Sequence, residues 1–330
     1  MSRVNEQIKE VVEMVEVITI GDAMITFDPL ANGPMRFVHT FERKVGGAEL
    51  NFAIGCARLG INTGWVSRLG NDEFGKYILN FVRGEGIDIQ HVKLVDGYPT
   101  SINFKEVRED GNGKTFYYRD NSPTEVLTED SIKESYFKTA KLLHITGVFP
   151  ALDKKKNMAV LRKAIEYAKK YNVLISMDPN VRLKLWTREE VKEALVSLLP
   201  SVDILLTGLD EAEILFDTTD PKEIIAACNE YGITTGAIKL GENGSIGFKG
   251  EEYIEATAVK VSKVVDTVGA GDGFDVGFVY GVLNSWTLDR TLLFANTIGS
   301  MVVSVAGDND GLPLLEEVLI ELGEGEFIER

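Results

Sequence analysis

The chain has 330 residues, 44% of them hydrophobic and 26% charged, which is the balance of a globular protein with a buried core rather than of a disordered chain. Its 51 acidic and 35 basic side chains give a formal net charge of -16, which excludes nucleic acids and anionic membranes as main partners. Its two cysteines form no Cys-x-x-Cys pair, no zinc-ligand spacing occurs, and no apolar run is long enough to cross a membrane. We therefore expect a cytoplasmic protein with small buried thiols.

In chain order, short apolar runs that end in Gly, Asp or Thr-Gly alternate with amphipathic helices. Residues 1–16 form an N-terminal extension, either a short amphipathic helix or a frayed end, and the first strand covers residues 17–20. Further strands are predicted at 142–145, 174–177 and 204–206, and helices over 154–171, 188–199 and 221–231. This alternation predicts a three-layer α/β/α domain with a mainly parallel sheet, in which ligands bind at the carboxyl ends of the strands.

Two segments, at about residues 28–45 and 98–121, interrupt this alternation. Residues 34–44 and 100–119 are extended runs, and the second contains a hairpin signal, with a turn at 109–113. Strands without helices inside an α/β chain predict a small β-sheet beside the main domain. We expect this sheet to act as a lid, the alternative being an edge extension that does not move.

The strongest motif is the turn Gly269-Ala270-Gly271-Asp272, which follows an extended run at 264–268 and leads into a helix that starts near Gly271. Small residues let backbone N–H groups converge, and the helix adds its positive dipole end, so the turn predicts an anion site. Asp272 is the candidate base for a hydroxyl nucleophile. Alternatively, the glycines only make a tight turn and Asp272 caps the helix. The turn is not a Walker A loop, because no Gly-Lys-Ser/Thr follows it.

A second glycine pair, Gly46-Gly47, opens a helix that carries Asn51 one turn further on, on the same face. Backbone amides of the pair and the Asn51 side chain could bind sugar hydroxyls. The alternative is a glycine-rich helix start with Asn51 merely exposed.

Other candidates lie at the ends of strands. Arg182 could hold an anionic group bidentately or make only a surface ion pair. Tyr117 and Arg119, at the end of the hairpin, share one face, which either meets a ligand or belongs to an ordinary half-buried strand. The turn at 239–244 could flank a nucleotide. Glu211 could bind magnesium through water or only complement the dipole of its helix.

Together these motifs resemble the ribokinase-like (PfkB) carbohydrate kinases over about residues 17–315. Within that family the chain is most similar to the 2-keto-3-deoxygluconate kinases, with fructokinases next. The segments that carry this likeness are 117–119, 143–147, 178–182, 237–241 and 307–313. The resemblance implies a ribokinase-like domain over 17–330 with a β-sheet lid, a homodimer that pairs lid to lid, and ATP-dependent phosphorylation of a primary hydroxyl with Mg²⁺ and a monovalent cation such as K⁺.

The resemblance also implies roles for residues. Asp272 would be the base, and Gly269, Ala270 and Gly271 the anion hole. The implied substrate contacts are Gly46, Gly47, Asn51, Asn103, Tyr117, Arg119, Arg182 and Asp272. The implied nucleotide contacts are Lys239, Gly241, Gly244, Gly269, Gly271 and Asn296, with Mg²⁺ near Glu211 and the monovalent cation near Asp266 and Thr267. The chain departs from the family pattern at Gly208, where Asn is frequent, and at Asn103, where a tyrosine is expected.

Two other hypotheses stay open. One keeps the kinase chemistry with a neutral substrate such as fructose, ribose or a nucleoside, although two arginines suit a sugar acid better. The other is a sugar- or nucleotide-binding protein without turnover, against which Asp272 argues because a binder needs no base. A dehydrogenase is excluded by the missing dinucleotide fingerprint.

Overall fold

The computed structural model describes residues 14–108, 113–250 and 252–325. Most of the N-terminal extension and most of the predicted hairpin turn therefore lie outside the described residues. The strands are β1 (Val17–Ile20), β2 (Met24–Pro29), β3 (Phe41–Gly46), β4 (Thr63–Gly70), β5 (Val92–Val95), β6 (Ser101–Val107), β7 (Gly113–Tyr118), β8 (Leu142–Thr146), β9 (Leu174–Asp178), β10 (Ile204–Gly208), β11 (Thr235–Lys239), β12 (Ser245–Lys249) and β13 (Glu252–Ala256).

The helices fill the long connections between these strands. They are α1 (Ala48–Arg58), α2 (Glu73–Gly84), α3 (Glu134–Phe137), α4 (Val148–Leu152), α5 (Lys154–Lys170), α6 (Arg188–Val196), α7 (Leu209–Phe216), α8 (Pro221–Glu230), α9 (Ala270–Leu283), α10 (Leu288–Val303) and α11 (Leu315–Glu321). Within the described ranges, no helix combines the length and the apolar character that crossing a membrane requires.

The main sheet has the strand order β13-β12-β11-β10-β9-β8-β1-β4-β5. Its strands from β11 to β5 are parallel, and β12 and β13 add an antiparallel edge. Successive residues of β1 pack on opposite faces: Ile18 contacts the core under α5 to α8, and Val17 the core under α1, α9 and α10. The prediction of a mainly parallel sheet with helices on both faces is confirmed.

A second, four-stranded sheet stands beside the main one, in the order β3-β2-β6-β7. The predicted hairpin is confirmed, because β6 and β7 pair antiparallel from Ile102 opposite Tyr118 to Val107 opposite Gly113. Within the first extended run, Met35–Phe37 is a 3-10 helix instead, since Pro34 fixes the backbone at its start. The small sheet also begins earlier than expected, at Met24.

The extended run predicted at 264–268 forms no strand. Its backbone contacts with another element are the N–H groups of Val265 and Asp266, which both donate to the carbonyl of Val303 at the end of α10, at 2.8 and 3.4 Å. An isolated apolar run without a neighbouring strand cannot continue a sheet, so these residues form a loop that leads into α9. The prediction of small buried thiols is confirmed, since Cys56 and Cys228 are both buried and unpaired.

Small residues let α9 pack closely between two neighbouring helices. A Cβ atom at Gly277 would lie 2.7 Å from the Cα of Ala295 on α10. A Cβ at Gly55 of α1 would lie 2.6 Å from the side chain of Val276. Packing this tight tolerates little change in volume, so α1 and α10 together fix the position of the first turn of α9.

Candidate active site

The glycine-rich turn forms the N-terminus of α9, which begins at Ala270, one residue earlier than predicted. Gly269 has a φ of 80°, and a Cβ atom there would lie 2.0 Å from the carbonyl oxygen of Asp308, so a glycine is required. At Gly271 a Cβ would meet only the Lys239 amino group, at 3.8 Å. The Gly271 side of the turn is therefore open, and the positive end of the α9 dipole lies beside a space into which an anion could fit.

Asp272 lies in the first turn of α9 and is buried, with two side-chain amides as its partners. Asn51 Nδ2 donates to Asp272 Oδ2 at 2.8 Å, and Asn180 Nδ2 donates to Oδ1 at 3.3 Å. Burial raises the pKa of Asp272 to about 7, although the hydrogen bond from Asn51 lowers it. A carboxyl group with this pKa can accept a proton near neutral pH.

Both the nitrogen and the oxygen of the Asn51 side-chain amide form hydrogen bonds. Its Oδ1 accepts a hydrogen bond from Asn309 Nδ2 at 3.2 Å, which leaves Nδ2 facing Asp272. Asn51 is 2% exposed, so the alternative of an exposed side chain is wrong. Gly46 and Gly47 precede it at the start of α1, as predicted, and Gly46 lies so close to Asp308 that a Cβ would be 2.3 Å from Oδ2.

Lys239 lies behind the turn and is paired with two buried carboxylates. Its Nζ is 3.1 Å from Asp178 Oδ2 and 3.2 Å from Asp275 Oδ1. Burial lowers the pKa of Lys239, but the two carboxylates outweigh it and raise the pKa overall, so the side chain stays charged. Lys239 is thus part of a buried ionic network that borders the open face of Gly271.

A cleft of about 590 Å³ opens beside this network, within the size range of ligand sites. Of the predicted residues, Arg182, Glu211 and Lys239 line it. The other predicted nucleotide residues, Gly241, Gly244, Gly269, Gly271 and Asn296, are not among its lining residues. Instead, Leu209, Ile214 and Leu240 supply apolar walls that sequence reasoning did not single out.

Gly241, Gly244 and Asn296 lie around the β11–β12 turn. Gly241 is exposed, and a Cβ at Gly244 would lie 2.1 Å from the carbonyl oxygen of Ala256. Asn296 is buried in α10, where its Oδ1 accepts from Ser245 at 3.2 Å. Its Nδ2 has no hydrogen-bond partner within the described residues.

Glu211 already accepts two backbone hydrogen bonds, from Val181 and Gly208, each at 2.9 Å. Burial raises its pKa, and the nearby Asp178 adds to this rise. Across the described ranges, no group of three or more His, Cys, Asp or Glu side chains is arranged to hold a metal ion. A divalent cation here would therefore need other oxygen ligands besides Glu211.

Arg119 and Asn103 meet the body of the protein at the base of the small sheet. Arg119 pairs with Asp22 at 3.1 Å, and its guanidinium lies 5.7 Å from the ring centre of Tyr117. Asn103 is 4% exposed and pairs with Tyr117 across β6 and β7. Arg182 is exposed, and its side chain donates to the carbonyl of Val181.

Several buried polar atoms around these residues have no hydrogen-bond partner in the described part of the chain. They are Asn103 Oδ1, Arg119 Nε, Asp22 Oδ1 and Asn180 Oδ1. Buried polar groups in native proteins are nearly always paired with protein, ligand or ordered water, so this set offers free hydrogen-bonding positions to a polar ligand or to water beside the small sheet.

Asp266 and Thr267 precede the turn, and their oxygens are in use. Asp266 Oδ1 accepts from the Val268 N–H at 3.1 Å, and Oδ2 lies 3.4 Å from the ammonium of Lys105. The Thr267 carbonyl accepts from Ala270 N–H at 3.4 Å. The positively charged group beside Asp266 in the structure is thus the ammonium of Lys105, a residue of the small sheet.

Sequence reasoning assigned no role in the site to Asp22, Asp178, Asn180 or Asp275, although it expected the polar residues after β9 to face the crevice. A signal existed for the first three, because they follow β1 or end β9 at the carboxyl edge of the sheet, where polar side chains gather. Asp275 offered no such signal: it lies one turn after Asp272, and only the packing of α9 shows that it faces Lys239.

The family model described as pfkB family carbohydrate kinase matches residues 14–315. The chain is 34% identical over 305 residues to 2-dehydro-3-deoxygluconokinase of Bacillus subtilis strain 168, covering 92% of this chain and 94% of that protein. It is 35% identical to the Thermoproteus tenax protein of the same name, covering 91% and 92%. It is 30% identical to 5-dehydro-2-deoxygluconokinase of Geobacillus thermodenitrificans, covering 86% of each chain.

Among solved structures, a putative ribokinase II of E. coli in complex with ATP and Mg²⁺ superimposes with a TM-score of 0.87 at 25% identity. The superposition covers 93% of this chain and 99% of that one. The fold described above is therefore shared across nearly the whole of both chains.

The raised pKa of Asp272 predicts how the Asp272→Asn variant changes stability with pH. Because the folded pKa of about 7 exceeds the ordinary 3.8, ionising Asp272 destabilises the folded state as the pH rises between these values. The Asp272→Asn variant has no carboxyl group to ionise at this position, so it does not lose stability in this way. The free energy of unfolding of the variant minus that of the wild type should therefore rise between pH 3.8 and a pH of about 7 and then level off. Urea unfolding followed by tryptophan fluorescence measures the difference at each pH.

Asp289→Asn is the matched control for this experiment. Asp289 lies in the first turn of α10, where the side chain of Thr287 lowers its pKa. Its replacement should therefore give no rise in relative stability with pH. A flat difference between Asp272→Asn and wild type would contradict the raised pKa.

Proposed function

The chain belongs to the pfkB family of carbohydrate kinases, and we propose that this sugar kinase phosphorylates a primary hydroxyl of 2-dehydro-3-deoxygluconate, also named 2-keto-3-deoxygluconate. The observation that carries the chemistry is the buried carboxylate of Asp272, held by two amides in the first turn of α9. The choice of substrate rests on the two relatives of that name and on the arginines near the site.

In the proposed reaction, Asp272 accepts the proton of the sugar hydroxyl while the hydroxyl oxygen attacks the γ-phosphorus of ATP. Asn51 and Asn180 hold the carboxylate still, so that its proton-accepting oxygen faces the substrate. The N–H groups of the 269–271 turn and the positive end of α9 stabilise the charge that develops on the transferring phosphoryl group.

ATP fits the cleft beside Lys239, and Leu209, Ile214 and Leu240 offer an apolar wall to its base. The conclusion that Gly241, Gly244 and Asn296 also contact the nucleotide stays a prediction. Magnesium prefers oxygen ligands and usually keeps several waters. We propose that Glu211 meets it through water, because both carboxylate oxygens already accept backbone N–H groups. Bound Mg²⁺ would neutralise part of the phosphate charge.

The sugar would lie between Asp272 and the small sheet, in contact with Gly46, Gly47, Asn51, Asn103 and Tyr117. The unpaired buried atoms at Asn103 and Arg119 support this placement. Arg119 and Arg182 would bind the sugar carboxylate, since a guanidinium can donate two parallel hydrogen bonds to it. Closure of the small sheet as a lid would exclude water from the phosphoryl group.

A different sugar acid is the first alternative substrate, because the 5-dehydro-2-deoxygluconokinase relative is nearly as similar to this chain. Fructose, as predicted from the fructokinase resemblance, is the neutral alternative. A sugar-binding protein without turnover is the alternative of another class, and the amide-held base of Asp272 argues against it.

A monovalent cation such as K⁺ at Asp266 and Thr267 stays a prediction. Two buried free thiols suit a cytoplasmic location.

We also propose a homodimer that pairs lid to lid. In the described part of the chain, β7 is an edge strand that pairs with β6 alone, and it exposes Phe116, Tyr117 and Tyr118 by 37%, 41% and 56%. An exposed edge with a row of aromatic side chains is typical of a protein interface.

The first test is ADP release with Mg-ATP over a panel of 2-dehydro-3-deoxygluconate, 5-dehydro-2-deoxygluconate, fructose, ribose and adenosine. We expect turnover on the first, and a kcat lower by about 10²–10⁴-fold in Asp272→Asn, as for loss of a general base. Asp289→Asn, the exposed aspartate of α10, should keep full turnover. Turnover on no member of the panel would favour the non-catalytic alternative, and an unimpaired Asp272→Asn would reject the proposed base.

The carboxylate contact is tested with Arg182→Leu on the sugar acid and on a neutral sugar that the wild type accepts. Loss of a charge-assisted hydrogen bond should lower kcat/KM for the acid by roughly 10-fold or more and leave the neutral sugar less affected. Arg188→Leu is the control, because Arg188 is half exposed and pairs with Glu213 outside the cleft. An equal loss on both sugars would show that Arg182 does not read the carboxylate.

Sedimentation equilibrium tests the lid-to-lid dimer. Tyr118→Glu puts a charge on the outer face of β7 and should shift the full chain from dimer to monomer. Tyr253→Glu is the control, since Tyr253 is 41% exposed on β13, the edge of the main sheet. A wild-type monomer, or a dimer that only Tyr253→Glu dissociates, would contradict the proposed interface.

A further inference from the structure

A buried lysine of the small sheet connects three carboxylates from three separate segments. Lys105 Nζ lies 3.3 Å from Asp28, 3.4 Å from Asp266 and 2.9 Å from Asp308. The Lys105 side chain is 12% exposed, and those of its partners between 11% and 22%. Asp28 belongs to β2 of the small sheet, whereas Asp266 and Asp308 belong to the main domain. One largely buried ammonium therefore joins the small sheet to the loops that precede α9 and follow α10.

Both partners in the main domain lie next to the anion turn: Asp308 contacts Gly269, and Asp266 contacts the residue just before it. Asp266 accepts from the N–H of Val268, the residue before Gly269, at 3.1 Å. The backbone carbonyl of Asp308 lies so close to Gly269 that a Cβ there would be 2.0 Å away. Asp266 also reaches the Gly307 N–H, at 3.4 Å. These two aspartates thus form the walls that hold the 269–271 turn in place.

The same cluster reaches the substrate side of the site. The other oxygen of Asp308, Oδ2, packs against Gly46, at the start of α1. Along β6, Ser101, Asn103 and Lys105 share the face that meets the main domain, because side chains alternate along a strand. Asn103 is the predicted sugar contact two residues from Lys105, so both are displaced together if the small sheet moves.

Three carboxylates this close repel one another when no cation is present. Burial raises the pKa of Asp28 and of Asp308, and Lys105 opposes that rise in both. Removing one charged partner from a buried network leaves the others uncompensated, and they then separate, take up protons or admit solvent. Separation of Asp266 from Asp308 would displace the two walls of the anion turn.

We propose that Lys105 is a positioning residue for phosphoryl transfer: its ammonium holds Asp266 and Asp308 against the 269–271 turn and aligns that turn with the lid strand that carries Asn103. This inference rests on the proposed role of the turn. Lys105 touches neither the sugar nor the nucleotide in this arrangement, and it acts through the two aspartates. Lys105 is thus a positively charged group of the chain itself that lies beside Asp266.

The test is Lys105→Ala with chemical rescue. The substitution removes a three-carbon stem and its ammonium, which n-propylammonium replaces atom for atom, whereas n-propanol replaces the volume without the charge. We expect kcat to fall by roughly 10- to 100-fold, the order that a misplaced catalytic group costs, with little change in the KM for Mg-ATP. At constant ionic strength, n-propylammonium should restore kcat severalfold, and n-propanol should not.

Thermal unfolding gives a readout that does not depend on activity. A cation that binds only the folded variant raises its Tm, so n-propylammonium should stabilise Lys105→Ala and leave the wild type unchanged. Lys76→Ala is the control for both readouts, because Lys76 makes an exposed ion pair with Glu73 on α2. That variant should keep its kcat and show no response to the amine.

If Lys105→Ala does not fold, Lys105→Met and Lys105→Arg replace it, since Met keeps the stem without the charge and Arg keeps the charge. Higher kcat in the Arg variant than in the Met variant supports the proposal. Full kcat in Lys105→Ala or Lys105→Met, or rescue by n-propanol equal to that by the amine, overturns it. Asp272→Asn, assayed alongside, separates the two ideas: if it is inactive while Lys105→Ala is fully active, only the role of Lys105 fails.

Discussion

The buried carboxylate of Asp272 is the constraint on which the rest of the site depends. Removing a carboxylate from water is costly, and here two amide donors offset part of that cost without neutralising the group. Those amides come from α1 and from the loop after β9, which are far apart in sequence. The main sheet and the helix layer of α1 and α9 must therefore be correctly packed before the base has its partners. The result is a pKa near 7, which suits proton transfer.

An acidic protein that binds polyphosphate must place its positive charges locally. The chain has a net charge of -16, yet its site contains the open N-terminus of α9 and two lysines fixed by carboxylates. Lys239 is paired with Asp178 and Asp275, and Lys105 with the cluster beside Asp266. Such pairing keeps both ammonium groups charged despite burial. The acidic surface and the anion site are therefore compatible, because water and salt screen the exposed surface charges, whereas charges at a buried site interact strongly with a group that is close to them.

Sequence patterns predicted the parallel core well, because a buried strand followed by a loop and an amphipathic helix has a strong local signature. β1, β8, β9 and β10 begin where the apolar runs begin. The antiparallel edge formed by β12 and β13 has no such signature, because β12 is buried but leads directly into β13 rather than into a helix, and β13 is mostly exposed. The run at 264–268 has the apolar composition of a strand but forms a loop. No strand lies beside it, and β structure requires a neighbouring strand.

By itself, the sequence determined the fold class, the family and the identity of the glycine turn with Asp272, because these follow from local composition and from motif order along the chain. The tertiary structure decided which side chains complete the site. Asn180, Asp22 and Asp275 join it, Lys239 is paired with two carboxylates, and Lys105 lies beside Asp266. Sequence spacing could not predict these contacts. Each of them joins elements that lie apart in the sequence and become neighbours through the order of the strands and the burial of α9.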